Sequence, residues 1–390
     1  MFCRSWGDCW MSKLVFLEDV CDILDSQRVP VTSKNRNKGI YPYYGANGVQ
    51  DYVDDYIFDD ELVLLAEDGG NFGSTEKPIA YRTSGKCWVN NHAHVLKAKE
   101  CIDVDYLCYS LMFYNVSSIV NGATRQKLNQ SMMRKMIIPL PEMNEQHIIV
   151  SKLDKVTNAI KLCNTILEKL DLLVKSQFVE MFGDPIDNPN GWNVKPLKEL
   201  SSLITNGNTP KGGSENYIDN GVTFLRSQNI WRNKIDLSDV VYIDEITHRK
   251  MQKSSVRYKD ILITKTGRVN TENSSLGRAA LFLGKDGTAN INGHVYLVRL
   301  NNSVVPEYVV TILTGEAYRK YIRKVCVGGI DKRQINLDQV EDFPIILPPI
   351  EQQNQFADFV KTIDKSKLAV KKTLEKAETL KKTLMQEYFG

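Results

Sequence analysis

Residues 140–183, LPEMNEQHIIVSKLDKVTNAIKLCNTILEKLDLLVKSQFVEMFG, return at 347–390 as LPPIEQQNQFADFVKTIDKSKLAVKKTLEKAETLKKTLMQEYFG. A shift of 207 positions superposes them without a gap, with identities that include Gln146/Gln353, Leu167/Leu374, Leu173/Leu380, Phe182/Phe389 and Gly183/Gly390. In the first copy Ile149, Leu153, Val156, Ile160, Cys163, Leu167, Leu170 and Val174 recur in steps of four and three, the spacing of a coiled-coil seam. The second copy holds the same frame with Phe356, Val360, Ile363, Val370, Leu374 and Ala377, interrupted by Lys367. Each copy follows a proline-bearing stop and ends at Phe-Gly, which suits a helix C-cap. A helix of that length is unstable alone in water, and its duplicate is the simplest partner. The pattern predicts two long helices paired as an antiparallel coiled coil.

The globular parts that precede the two helical segments also repeat, more faintly and with shifting offsets. Leu17-Glu18-Asp19-Val20 matches Leu197-Lys198-Glu199-Leu200, and Val89-Asn90-Asn91-His92 matches Ile291-Asn292-Gly293-His294. Changing offsets mean loops of unequal length. Strand-like runs at Leu62–Ala66, Ile261–Thr264 and Val295–Leu300 alternate with turn clusters, among them Lys265-Thr266-Gly267, so each copy reads as a mixed α/β (α+β) domain. The expected order is a first globular domain over 1–140, a long helix over 141–183 and a linker over 184–192. A second globular domain over 193–347 and a second long helix over 348–390 complete a pseudo-two-fold internal repeat. Residues 1–10 match nothing in the second copy and read as a mis-chosen start codon or a disordered extension.

The 390 residues suffice for two cores. An apolar fraction of 42% and a charged fraction of 25%, without a long apolar run or a signal-peptide pattern, predict a soluble, cytoplasmic protein. Eight irregularly spaced cysteines with no CxxC read as reduced, mostly buried thiols. A net charge of +3 says little, because the placement of cations matters more than their sum.

No phosphate loop, HExxH, CxxC pair or nucleophile elbow is present. Thr266-Gly267-Arg268 and Gly69-Gly70 read as turns. His92 and His94 would share one face of a strand, but zinc takes three or four ligands, so a structural or ligand-facing role is expected and no metal.

The motif order resembles the specificity subunit of type I restriction-modification systems. The resemblance is carried by Tyr43-Tyr44-Gly45-Ala46-Asn47-Gly48, by 88–94, by Gly122 to Asn129, by Phe182-Gly183-Asp184-Pro185 and by the ending Glu387-Tyr388-Phe389-Gly390. It covers essentially the whole chain, and many members of the family begin close to where Met11 stands. The resemblance implies that each domain reads one half of a split double-stranded DNA target and that the helices set the unread spacer. It implies two modification (methyltransferase) subunits docked on the helices, with restriction subunits joining them. S-adenosylmethionine, ATP and Mg²⁺ would belong to those partners, with no cofactor and no catalytic residue in this chain.

DNA binding needs cations for phosphates and forked groups for base edges. The first half offers Asn47, Asn91, His92, Arg125, Gln126, Lys127 and Asn129; the second offers Lys332, Arg333, Gln334 and Asn336 at the equivalent place. The second half adds Arg226, Gln228, Asn229, Arg232, Lys265, Arg268 and His294. The cluster that recurs after a glycine suits phosphate contact, since a shared feature cannot distinguish two half-sites. Base reading is expected where the copies differ, around 68–76, 226–234 and 265–275. The alternatives are a fused or stand-alone DNA-modifying enzyme, which the missing motifs oppose, and a coiled-coil scaffold, which the basic, amide-rich loops oppose.

Overall fold

The computed structural model describes residues 13–74, 76–122, 126–269, 271 and 273–390. Residues 1–10 and Arg125 lie outside them. The duplicated segments form the helices Met143–Phe182 and Ile350–Phe389, each of 40 residues and hence about 60 Å long. Gly183, at φ 79°, ends the first in the left-handed conformation that glycine adopts without strain, and its N–H caps the carbonyl of Val179 at 2.8 Å. The residues of the four-three pattern are the covered ones, from buried Ile149 and Leu153 to half-buried Val174, and from buried Phe356 to half-buried Ala377. Lys367, the interruption, reaches Asp171 at 2.7 Å and is only 16% exposed, so its charge in the seam is paired.

Packing divides the chain into two units, Met1–Asn164 with Lys371–Gly390, and Thr165–Val370. Each long helix therefore begins in one unit and ends in the other.

In the first unit, strands are β1 (Lys13–Phe16), β2 (Cys21–Ile23), β3 (Lys38–Gly45), β4 (Gly48–Val53) and β5 (Phe58–Asp59). They continue with β6 (Leu62–Ala66), β7 (Ala80–Thr83), β8 (Lys86–Val89), β9 (Ala93–Ala98) and β10 (Ile137–Leu140). One antiparallel sheet runs β2-β9-β6-β7; a second runs β4-β3-β8-β5, with β3 and β8 parallel. Strand β6 is buried throughout because both its faces are covered. Val63 and Leu65 join the core that includes the helix Val104–Met112, while Leu62 and Leu64 join Phe58, Cys87 and Val89. This is the period of two of a strand sandwiched between layers.

The second unit repeats the plan with β11 (Asn193–Pro196), β12 (Ser201–Asn206), β13 (Val222–Leu225), β14 (Ile230–Trp231) and β15 (Lys234–Ile235). There follow β16 (Val241–Ile243), β17 (Ile261–Thr264), β18 (Thr266–Arg268), β19 (Ala279–Leu281) and β20 (Ala289–Ile291). The last are β21 (Val295–Leu300), β22 (Val327–Gly328), β23 (Lys332–Gln334) and β24 (Pro344–Leu347). The order β12-β21-β17-β19 matches the first sheet of the other unit, and β16-β13-β20, with β13 and β20 parallel, matches the second.

Hydrogen bonds repeat as well. Gln146 takes the N–H of Asp103 at 2.8 Å and donates to the Pro141 carbonyl at 2.9 Å; Gln353 does the same with Val305 and Pro348 at 3.0 and 2.9 Å. The hydroxyl of Tyr106 donates to Pro139, and that of Tyr308 to Ile346, each at 3.0 Å. The invariance of the glutamine between copies is thus a docking requirement, since it fastens the start of each long helix to its domain.

One expectation needs correction. Thr266-Gly267-Arg268 is not a turn but strand β18, paired with β23. Gly267 is there for close approach: a Cβ would lie 2.2 Å from the backbone N of Leu276. The described cysteines are free thiols, buried except Cys101. Among the described residues no helix is long and apolar enough to cross a membrane.

Candidate nucleic-acid interface

The loops that leave β3, β6 and β8 meet at one end of the first domain. Backbone bonds knit them: Asn90 N–H to Tyr44, Glu67 N–H to His92 and Leu128 N–H to Glu67, at 3.0, 2.9 and 2.7 Å. Asn47 donates to the Gly69 carbonyl at 3.0 Å. Asn47, Asn91, His92, Gln126 and Lys127 are thereby gathered on one rim, with Asn91 exposed and His92 half-buried against Asp68 at 2.6 Å. Asn129 stands at the N-cap of the helix Gln130–Arg134.

Beneath this rim His94 is buried, with Nδ1 2.6 Å from Asp25 and Nε2 2.8 Å from the Leu128 carbonyl, so both nitrogens face acceptors. Arg28 binds Glu67 at 2.6 Å, and Lys127 reaches the other oxygen of Glu67 at 3.0 Å. Asp25, Glu67 and His94 bring ligand-type atoms within 4.8 Å of one another. The cations of that cluster are the chain's own Arg28 and Lys127, so the set fits an ionic clasp under the loops. His92 and His94 do not converge: each has its own aspartate.

Burial works to raise the Asp25 carboxyl, but the hydrogen bond and charge of His94, the Val95 N–H and Arg28 outweigh it and hold the group below the usual carboxylate range. A depressed acid contributes stability above its unfolded value, about 3.9, that is lost as pH falls through the lower folded value. Urea midpoints of the wild type should therefore drop between about pH 5 and pH 2. Asp25→Asn should be less stable at neutral pH and show a shallower acid drop; parallel curves would contradict the clasp.

The second domain builds the same frame with different side chains. Asn292 N–H bonds Leu225, Lys265 N–H bonds His294 and Ile335 N–H bonds Lys265, each at 2.9 Å. Tyr296 occupies the place of His94 and donates to the Ile335 carbonyl at 2.8 Å. Lys265 occupies the place of Glu67 and lies 5.6 Å over the Tyr296 ring. An ionic clasp in one domain is an aromatic one in the other. Around this frame lie exposed His294 and Lys332, Arg268 at 3.4 Å from Asp331, and Arg333, which donates to Gly329 at 3.3 Å.

Other candidates have internal duties. Asn336 caps the helix Leu337–Glu341 with Gln339 and accepts from Gln334 at 3.2 Å. Asn129 holds the matching N-cap position, although its side chain makes no capping hydrogen bond. Asn229 is 1% exposed, accepts from Arg226 N–H and donates to the carbonyls of Asp236 and Asp239. Arg226 and Gln228 close on Asp239 at 2.7 and 2.6 Å.

Arg232 lines a groove of about 410 Å³ with Trp231, Lys234, Asn273 and Arg278. The Arg278 guanidinium lies 3.9 Å from the centroid of the Trp231 ring. In the first domain Arg36 lies 4.0 Å over Tyr43, beside a groove of about 500 Å³ that Asn90, Asn91 and His92 also line. Sequence reading missed both arginines, because each ring partner comes from another strand or loop. Both guanidiniums also serve the fold: Arg278, 9% exposed, donates to the Ser274 carbonyl at 3.0 Å, and Arg36 donates to the Val31 carbonyl at 3.1 Å and pairs with Asp51 at 3.4 Å, so they shape the grooves rather than offer free donors.

Two copies of one α/β domain, each with a donor-rich end and each followed by a 40-residue helix, define a tandem recognition protein. The chain belongs to the specificity subunits of type I restriction-modification systems: the family model for the type I restriction modification DNA specificity domain matches residues 11–172 and again 189–379, two such domains in tandem. A putative type I restriction enzyme specificity subunit of Haemophilus influenzae is 26% identical over 355 residues, 88% of this chain and 85% of that protein. A specificity subunit of Methanocaldococcus jannaschii is 22% identical over 400 residues, 96% of this chain and 91% of its own length. Among solved structures, the type I restriction-modification S subunit of M. genitalium shares the fold, with a TM-score of 0.63 at 13% identity, across 99% of this chain and 98% of that one.

Proposed function

We propose that this chain is the non-catalytic, sequence-reading subunit of its complex, each globular domain reading one half of a bipartite duplex target. The observation that carries this is the common backbone frame with different side chains on its rim: Asn91, Gln126 and Lys127 in one copy, Gly293, Arg333 and Gln334 at the matching places in the other. One fold presenting two chemistries is what two different half-sites require.

The helices pair antiparallel and set the unread gap. In one unit Lys152 donates to the Tyr388 hydroxyl at 3.0 Å; in the other Asp171 meets Lys367, and Phe178 meets Phe356 with ring centroids 5.5 Å apart. Numbers rising on one helix as they fall on the other support that pairing and a pseudo-two-fold relation. Glu168/Glu375, Lys169/Lys376, Leu173/Leu380 and Lys175/Lys382 are identical between copies yet exposed. Packing does not demand those identities, whereas two copies of one partner would. The partners are two methyltransferase subunits, with restriction subunits joining them. S-adenosylmethionine, ATP and Mg²⁺ reside there.

Selection of random duplex DNA by the full chain with its methyltransferase subunits tests this. Enrichment of a two-part motif with a fixed gap is expected; a single ungapped motif, or methyl transfer by the chain alone, overturns it. Within that assay Lys332→Ala should weaken binding at all sequences and reduce the salt slope by about 0.9. Lys127→Ala should do less, because Glu67 already holds that ammonium. Equal slopes in the two variants would reject the difference.

A further inference from the structure

Strands β22 and β23 form a ribbon whose turn is Gly329-Ile330-Asp331. The ribbon is fastened on its other side by β18, with Arg268 opposite Lys332 and Val269 N–H bonded to Asp331 at 3.0 Å. Gly328, at φ 126°, allows the strands to close, since a Cβ there would lie 3.0 Å from the Lys332 carbonyl. At the tip Ile330 is 91% exposed, and among the described residues no large apolar side chain is more so. A lone exposed aliphatic is ordinary. This one is held out at the end of a braced ribbon, beside exposed Lys332 and Arg268 and half-buried Arg333.

We propose that Ile330 reads the C5 methyl group of a thymine in the major groove of the second half-site, an inference that rests on the DNA-reading function above. The turn at the end of this three-stranded ribbon is offered to the major groove, where thymine presents its methyl group beside hydrogen-bonding edges. Lys332, Arg333 and Arg268 take the flanking phosphates, and the apolar tip meets the apolar spot on the base floor. The Arg268–Asp331 pair is too exposed to resist exchange for phosphate. The position aligned with Ile330 in the first copy is Ala123, so the copies differ where a different base would be read.

The test uses the full chain with its partner subunits and the duplex selected above. Deoxyuridine replaces each thymine of the second half-site in turn, which removes only the methyl group. For the wild type, one such replacement should weaken binding about fourfold, the effect of one buried methyl. Ile330→Ala should bind the thymine duplex about as weakly and lose nothing further with deoxyuridine. A half-site with no A·T pair, wild-type binding indifferent to every replacement, or an equal deoxyuridine penalty in Ile330→Ala overturns the proposal. Gapped-motif binding that persists in those cases leaves the DNA-reading function standing, and its absence in the wild type condemns that function instead. Ile330→Ala sits on an exposed turn, so folding is checked simply by its unchanged melting temperature.

Discussion

Phe182→Ala is expected to destabilise the unit Thr165–Val370 by about 3–5 kcal/mol, the cost of removing a fully buried aromatic ring. Phe182 is 0% exposed and ends the first long helix. Its ring meets Tyr308 edge-on at 5.0 Å, Phe178 at 5.1 Å and Phe356 at 5.6 Å, so truncation empties the middle of an aromatic cluster. Such pairs contribute beyond their area, about 0.5–1.5 kcal/mol each. Trp192, which donates its ring N–H to the Phe182 carbonyl at 3.0 Å, closes the turn below and leaves little room for collapse. The equivalent residue, Phe389, packs on Tyr106 at 5.3 Å but is only half-covered. Phe389→Ala should cost less, about 1–3 kcal/mol, and in the other unit. Urea unfolding of both variants decides this. Equal losses, or a Phe182→Ala loss under about 1 kcal/mol, would show that the Phe-Gly ending merely caps each helix instead of anchoring it.

The contrast between these phenylalanines marks what sequence could and could not disclose. The four-three apolar spacing is a local signal, and the residues it picked are the covered ones, so the long helices were legible directly. So were β6, β17 and β21, whose apolar runs are bounded by turn residues. Strand β18 was not, because Gly267 looks like a turn while its partner β23 lies far along the chain. The same limit applied to the candidate interface. Asn229 and Asn336 looked like reading residues because an amide that satisfies a buried loop or caps a helix is the same in sequence as one that faces DNA. Arg278 and Arg36 escaped notice because their rings, Trp231 and Tyr43, are brought to them by the fold. Glu67 was overlooked too, although its ties to Arg28 and Lys127 temper the first rim, whereas the second carries Lys265 in its place.

Seven residues inserted into each long helix, between Asn164 and Thr165 and between Val370 and Lys371, should lengthen the preferred DNA gap by about three base pairs. Those points are where each helix passes from one packing unit to the other. A heptad adds about 10 Å of helix and returns the seam to its own register, so Ile160, Cys163 and Val370 still face inward. At about 3.4 Å per base pair, 10 Å is three steps of duplex. An insertion into one helix only has no such matching partner. It keeps its heptad phase but leaves a heptad of apolar seam uncovered or displaced from its partner, and should reduce stability rather than extend the gap. The two polymers also turn at different rates. A heptad rotates the helix face by only about 20° from its start, whereas three base pairs rotate the DNA by about 100°, at roughly 10.5 base pairs per turn. The single-heptad variant should therefore select the longer gap with reduced affinity. Three heptads add about 31 Å, close to one DNA turn, and affinity should recover at a gap about nine base pairs longer than the wild type's. Selection from random duplexes reads both quantities at once. A gap that stays at the wild-type length in the paired insertions would remove the helices as the ruler, and a lengthened gap without the dip and recovery in affinity would mean that the domains turn freely on their helices.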